Sequence, residues 1–406
     1  MKIMLPINNP PSPVISELLS DRSHHIEFNG HLTNHNKHAV IALLKLGAKE
    51  ERIKEFYYNY ANETPYGYGL EPARSSKYKI DERNWKDYLG KRTSFSGYYE
   101  FFESQYDKFG LQYIVDKYLL ELLDGWVGSL THALIHLGWG LDIDSKCMIL
   151  EGFAYLAFSY VAIGKAKTPA RKNNESTPLE SIINLAKYVS ENTDEFNAWQ
   201  AGIINEKESI VEKNIHPELA RSGLQYRIAK VLGHSHQIVH ATPAWFSNNS
   251  SPQNWAELYK AVTLIYLSRP GDFLLLHLIT SLNAMEKVSR FIRKEDSIEC
   301  ITLFWKGVIS ILFAMEQPIS FHALTELLVQ YQERYDDESD SDVLHCWDVA
   351  VTEAIAEDEE HNTKMVYVVL EQWKKSGHLT MFRDAALCFT ATPELPKSFE
   401  TPPLYT

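Results

Sequence analysis

Residues 126–164 read WVGSLTHALIHLGWGLDIDSKCMILEGFAYLAFSYVAIG. Two apolar stretches, Trp126 to Trp139 and Ser145 to Ile163, are joined by a short polar turn around Asp142 and Asp144. Their apolar residues follow a helical period, so they predict a pair of packed helices. The second stretch, Cys147 to Gly164, is the best membrane candidate in the chain. It reaches only the lower limit of spanning length and carries Glu151, so it reads as a buried core helix.

The same period extends in both directions. Asn34 can cap a helix whose Val40, Ile41, Leu43, Leu44 and Leu46 precede a stop at Gly47. Lys49 to Glu63, Ser96 to Lys108 and Leu111 to Leu123 follow, with breaks at Gly110 and Gly125. Further helices are predicted over Pro217 to Leu232, Asn254 to Leu267, Asp272 to Met285 and Ser297 to Ala314. The last four are Phe321 to Tyr335, Asp342 to Ala356, His361 to Lys374 and Thr380 to Cys388. No run of period-two alternation bounded by hairpin turns is evident. The predicted class is all-α. Two long connections stand out: PYGYGLEPARSSK, within Glu63 to Lys79, and a basic run after Gly164. The first has aromatic faces enough to cover a flat ligand. The acidic run from Asp336 to Asp342 reads as an exposed loop.

Composition narrows the function. The 406 residues include 19 glycines and 17 prolines, fewer than the ~12% of average chains, which argues against collagen-like or turn-dense β architectures. A formal net charge of −13 leaves no basic field for nucleic acid. Cys147, Cys300, Cys346 and Cys388 form no C-x-x-C pair and are expected as reduced, structural thiols of a cytoplasmic protein. The amino terminus shows no long apolar segment, so neither a secretory signal nor a membrane association is expected.

The histidines carry most of the chemical information. His35 and His38 share one helix face, as do His132 and His136. His277 stands alone in DFLLLHLITSL, and His361 lies three residues before Lys364. Helices can bring such imidazoles together at a buried metal, and neutral imidazole suits iron, zinc, copper or nickel. Taken singly, each reads first as a satisfied core residue or an exposed one, and only the set together makes a shared site an equal reading. The cluster His234, His236 and His240 reads as exposed or packing, and His24 and His25 as surface. No H-E-x-x-H, phosphate loop, dinucleotide fingerprint or nucleophile elbow occurs.

Five segments in order, NHNKHAVIALLKLGA from Asn34, NWKDYLGKRTSFSGYYEFFE from Asn84, GSLTHALIHLGWGLDID from Gly128, DFLLLHLITSL from Asp272 and DEEHNTK ending at Lys364, resemble the questin oxidase-like family. Ala133 departs from a proline common there, and YGYGLEP, Tyr66 to Pro72, matches the family's loop only loosely, which affects substrate identity more than the metal. The resemblance implies O2 chemistry on aromatic polyketides, including ring opening of anthraquinones. Some members resemble NADPH-dependent Baeyer–Villiger oxidases; others resemble non-haem iron dioxygenases in which histidines and a CO2-carboxylated lysine hold the metal. The absence of a nucleotide fingerprint favours the iron reading, with monooxygenase or dioxygenase outcomes both open.

The ligand set this implies is His38, His136, His277, His361 and Lys364, with Fe(II) as the metal. His35 and His132 are reserves or orienting donors, and Asn34 and Glu151 are candidates to orient the ligand imidazoles. A carbamate on Lys364 would turn a cation into an anionic oxygen donor. Expected partners are O2 and a small aromatic substrate; the alternatives are an NADPH-using oxidase and a non-catalytic helical protein binding a ligand or partner. Ligands dispersed this widely require one large helical domain. The expected division is an extension at 1–30, the helical domain at 31–390 and a Pro-rich tail at 391–406, with oligomeric state left open.

Overall fold

A computed structural model describes residues 11–164, 172–205, 224–234, 236–247, 252–294 and 296–392. The basic run at 165–171, the beginning of the helix expected from Pro217 and nearly all of the Pro-rich tail lie outside the described residues. The fold is helical, as expected, and the only described strands are two residues long. Glu27–Phe28 (β1) and Leu32–Thr33 (β2) pair antiparallel, and Lys172–Asn173 (β3) pairs parallel with Thr242–Pro243 (β4).

The helices in chain order are Pro13–Ser20 (α1), Asn36–Leu46 (α2), Glu50–Asn62 (α3), Phe95–Phe109 (α4), Leu111–Ile114 (α5) and Leu120–Leu123 (α6). The predicted pair follows as His132–Asp142 (α7) and Lys146–Phe158 (α8), both shorter than expected: left-handed residues 129–131 delay the start of α7, and α8 ends at Phe158 rather than Ile163. Then come Pro178–Glu191 (α9), Thr193–Asn205 (α10), Leu224–His234 (α11), Pro252–Leu267 (α12), Phe273–Ser289 (α13), Ser297–Ala314 (α14), Phe321–Tyr331 (α15), Ser341–Ala356 (α16), Glu360–Lys375 (α17) and Thr380–Ala386 (α18).

Sequence reading passed over α1, α9 and α10. Two of them announce themselves by capping: Ser12 accepts from Ile15 N–H before Pro13, and Thr177 from Glu180 N–H before Pro178. The helix expected from Leu111 to Leu123 is interrupted by a π turn over Val115–Leu119. The helix expected to reach Tyr335 stops at Tyr331, because Glu333 takes a left-handed backbone (φ 50°).

Helix α7 lies between α8 and α13, while α17 packs on α2, α13 and α18. Glycine sets these spacings. A Cβ on Gly138 would stand 2.5 Å from the Ala284 carbonyl oxygen, and one on Gly152 2.6 Å from Leu137 Cα. As expected, α8 is a core helix: every residue from Cys147 to Phe158 is buried. Among the described residues only Ser297–Ala314 is long and apolar enough to cross a membrane, and it is packed largely inside the fold. One contiguous apolar core runs from Ile15 to Ala386.

The acidic run is not uniformly an exposed loop. Asp336 is anchored by Trp373 Nε1 (2.8 Å), Thr380 Oγ1 (2.9 Å) and Arg383 Nη1 (2.8 Å). All four cysteines are unbridged.

Candidate metal centre

Four helix starts converge in the core. Asn34 turns the chain into α2, its Oδ1 accepting from Asn36 N–H, and His35 sits at the first position outside the helix. His132 is the first residue of α7. Asp272 caps α13 by accepting from Leu274 and Leu275 N–H, which sets His277 just over one turn in. Glu359 caps α17 and accepts from His361 N–H, with Lys364 one turn further on.

The entrance to α7 is the most unusual backbone in the fold. Ser129, Leu130 and Thr131 are all left-handed, with φ of 47°, 48° and 70°. Non-glycine residues rarely adopt this region, and a β-branched one there is strained. The turn is held by a buried network. Ser129 Oγ donates to Glu27 Oε1 (2.6 Å), as does Tyr155 Oη (3.0 Å), and Arg92 is ion-paired with Glu27. Its effect is to aim the Ser129 carbonyl at His132 Nδ1.

One donor atom from each of His35, His132, His277 and His361 lies within 4.8 Å of the others. The rings of His35 stand 4.5 Å from His132 and 4.6 Å from His361, and His132 stands 4.6 Å from His277. Lys364 Nζ reaches His35 Nδ1 at 2.9 Å. Thus the structure brings together His277, His361 and Lys364 with the two reserves, His35 and His132. His38 and His136 continue from this group as a line. His38 Nδ1 is 3.2 Å from His35 Nδ1, His38 Nε2 is 2.9 Å from His136 Nδ1, and His136 Nε2 is 3.0 Å from Glu151 Oε2. Glu151 is buried and paired with Lys37 at 2.7 Å. Asn34 directs its amide to backbone atoms of Asn36 and His25.

The outer partners determine which nitrogens carry protons. A carbonyl can only accept, so His132 and His277 each donate Nδ1–H, to Ser129 and to Phe273 (2.7 Å) respectively. Their Nε2 lone pairs then face each other at 2.9 Å. His361 gives Nδ1–H to Glu359, and its buried Nε2 has no hydrogen-bond partner among the described residues. Glu151 takes Nε2–H from His136, whose Nδ1 accepts Nε2–H from His38, which leaves the His38 Nδ1 lone pair directed at the cluster. Opposed lone pairs in a dry interior are unfavourable unless a cation lies between them.

A proton is a poor candidate for that cation. Burial, and then Lys364 and neighbouring imidazoles, hold His35 and His361 well below the ordinary imidazole range. Burial with His277 and Lys364 does the same for His132, and burial with His136 and Lys364 for His38. His277 is lowered to about 3 by burial and Lys364. Neutral imidazoles with inward lone pairs are the form that binds a metal, and the donor set fits one. The positive ends of four helix dipoles also meet here, so a dication needs nearby anions. Glu359 and Glu360 lie beside His361, but burial raises both, and with Glu359 beside it Glu360 is pushed up to about 8, so a cation next to them is what would favour their charged form; Glu360 is fully buried and accepts from Tyr60 Oη at 3.2 Å. Burial lowers Lys364 to about 8, against the pull of Glu360 and Glu359.

Sequence reasoning missed Glu359, Glu360, Ser129 and Lys37. The first two were adjacent to His361 in DEEH and readable as its orienting carboxylates; the others have no local signal. His25, read as surface, is buried: β1 begins two residues on and Phe95 packs on its ring at 5.4 Å. Of the other cluster, His240 is buried and His236 packs on Trp199 at 4.7 Å, so packing is the role observed.

A cleft of about 560 Å3 adjoins the centre. Phe56, Tyr60, Thr64 and Pro65 form one side and Glu357, Asp358, Glu359 and Thr392 the other. Tyr60 and Glu359 therefore face the cleft while bonding to Glu360 and His361 behind it.

Comparison with known proteins agrees with these motifs. The profile of the family described as Questin oxidase-like matches residues 32–369. Two curated fungal proteins are similar. Baeyer-Villiger monooxygenase AacuH of Aspergillus aculeatus is 24% identical over 312 residues, covering 71% of this chain and 63% of its own. Baeyer-Villiger oxidase AgnL3 of Paecilomyces divaricatus is 30% identical over 149 residues, covering 34% and 31%. The matches thus span less than two thirds of either relative's length.

Proposed function

This chain belongs to the questin oxidase-like family, and from that premise we propose that it is an oxygenase acting on a flat phenolic or quinone-like aromatic, with Fe(II) at the histidine cluster. The observation that carries the reading is the set of inward lone pairs, above all the His132 and His277 Nε2 atoms 2.9 Å apart. His132, His277, His361 and His35 would hold the metal, with Lys364 as a carbamate supplying an anionic oxygen. His38 and His136 stand behind His35 and carry the orientation set by Glu151. When bound, ferrous iron supplies the one-electron chemistry that triplet O2 requires.

The chain's own residues do the rest. The carbonyls of Ser129 and Phe273 and the carboxylate of Glu359 fix three imidazole tautomers. The dry core keeps the imidazoles neutral. A Lys364 amine that titrates near 8 is partly unprotonated at neutral pH, the form that attacks CO2. The adjoining cleft is large enough for a tricyclic aromatic and presents carboxylates to hydroxyl donors, which suits a neutral polyphenol better than an acid.

Iron analysis and oxygen uptake test this together. Protein reconstituted anaerobically with Fe(II) is expected to retain close to one equivalent; less than about a tenth of an equivalent would refute the metal site. Oxygen consumption with a hydroxyanthraquinone panel is expected without added reductant. The names of the two relatives favour a second reading, Baeyer–Villiger insertion, for which the family resemblance implies NADPH as reductant. Uptake strictly dependent on NADPH would select it, and no uptake under either condition would favour a binding protein. Lysine carboxylation predicts a carbamate 13C resonance after equilibration with labelled bicarbonate, lost in Lys364→Met.

A further inference from the structure

A second cleft, of about 380 Å3, lies at the far ends of the two helices that carry His277 and His361. It opens between α12, α13, α17 and α18. Glu286 and Gln372 place it two to three helical turns from those histidines, ~13–16 Å along the axes. Trp255, Tyr259, Leu379 and Phe382 give it apolar and aromatic walls. Lys260, Arg290 and Lys375 stand around its rim, and Glu286 is the carboxylate among its lining residues.

That carboxylate is already engaged. Tyr259 Oη donates to it at 2.9 Å and Arg290 Nη2 at 3.1 Å. Lys260 and Lys375 have carboxylate partners of their own, Glu257 and Glu371, each at 2.8 Å. An ammonium has three donors, so each retains capacity. The decisive atom is Gln372 Nε2. Gln372 is 5% exposed and lines the cleft, yet its Nε2 has no hydrogen-bond partner among the described residues. A buried amide donor left unpaired costs free energy that an acceptor in the cleft would recover.

We propose that this cleft is a second ligand site, for a planar aromatic carboxylate. The ring would lie against Trp255 and Phe382, and the carboxylate would accept from the rim cations and, once the shielded Gln372 side chain turns toward it, from Gln372 Nε2. Its chemistry is opposite to that of the cleft beside the histidine cluster, whose Glu63, Glu357, Asp358 and Glu359 repel an acid. The same acid is therefore not expected in both. The site also has a route to the centre. Lys375 bonds Glu371, Asn283 donates to Glu371 at 3.0 Å, Trp139 Nε1 donates to Asn283 at 3.0 Å, and the Trp139 ring packs on His38 at 6.0 Å.

The test is equilibrium binding of 2-naphthoate and its neutral analogue 2-naphthol to the full chain, followed by calorimetry with and without Fe(II). One saturable 2-naphthoate site is expected, about tenfold or more tighter than for 2-naphthol. Gln372→Leu and Lys375→Glu are each expected to weaken it about tenfold, with circular dichroism and iron content unchanged. Should Gln372→Leu perturb the fold, Lys375→Glu decides, because that side chain is 42% exposed. Equal affinity for the two probes, no saturable 2-naphthoate binding, or affinity unchanged in Lys375→Glu would each overturn the proposal. Because binding is read without turnover, and in one arm without iron, the result is independent of whether the histidine cluster is an oxygenase centre.

Discussion

Lys37 and Glu151 face each other across the interior, and each depends on the other for its charge. Lys37 holds Glu151 below the usual carboxylate range against the opposing effect of burial. Removing one partner strands a buried charge, so Glu151→Gln is expected to cost ~3–5 kcal/mol of unfolding free energy. The double variant Lys37→Met, Glu151→Gln is expected to recover most of it, since Gln can still accept from His136; urea titrations of the two proteins make the comparison. Equal losses in both would show that the pair is not coupled. Protonation adds a second test at this scale. His25 and His277 are each lowered from 6.5 to about 3, burial being the first cause in both. Between those values the unfolded chain binds protons that the native rings refuse, so stability is retained above pH 6.5 and falls as pH falls. Each group approaches ~1.4 kcal/mol per pH unit. Metal-free protein in chelator is therefore expected to unfold at markedly lower urea at pH 5.5 than at pH 7.5; identical midpoints would contradict buried neutral imidazoles.

Helix α7 carries one of the clustered imidazoles, His132, and His136 of the line behind it, and is pinned from both sides by glycine contacts. Gly152→Ala forces a methyl against Leu137 Cα at 2.6 Å, and overpacking of this kind costs ~1–3 kcal/mol. Gly202 in α10 has no atom within 4 Å of an added Cβ, so Gly202→Ala is expected to be neutral or to stabilise by ~0.5–1 kcal/mol through helix propensity. The melting temperature should fall in the Gly152 variant and stay level or rise in the Gly202 variant, and the Gly152 variant should also lose iron more readily to chelator. Periodicity made the α7–α8 pair legible in the sequence, because an apolar stripe follows from helix geometry alone. The choice within each histidine pair was not legible in that way. His35 and His38 share a face, as do His132 and His136, so spacing cannot say which member meets the other helices. That depends on crossing distances set by Gly138 and Gly152, and on the left-handed turn before His132, neither of which has a periodic signature.

Over the whole molecule, the cluster draws on residues from His35 to Lys364, and the apolar core is continuous across the same span. Dispersed side chains cannot converge in an unfolded chain, so a metal bound at the proposed site would be linked to folding of the entire core. One cooperative thermal transition, shifted upward by Fe(II), is expected in scanning calorimetry. Two transitions, only one of them moved by iron, would show that the ligands belong to a unit folding separately. The same dispersal of histidines along the sequence is what the expectation of one large helical domain rested on. His25 escaped that reading because its burial comes from Phe95 and the short β1–β2 hairpin, and a two-residue strand leaves no alternation to detect.

Thr131 is wholly buried, left-handed, and carries a hydroxyl with no partner among the described residues. Thr131→Gly would relieve a conformation that costs an L-residue ~1–2 kcal/mol and would delete the unsatisfied group as well. A laboratory selection that rewards heat resistance alone should therefore find this replacement early. The slackened peptide would no longer hold the Ser129 carbonyl against His132, so the winners of such a selection would be sturdier proteins with a less faithful centre.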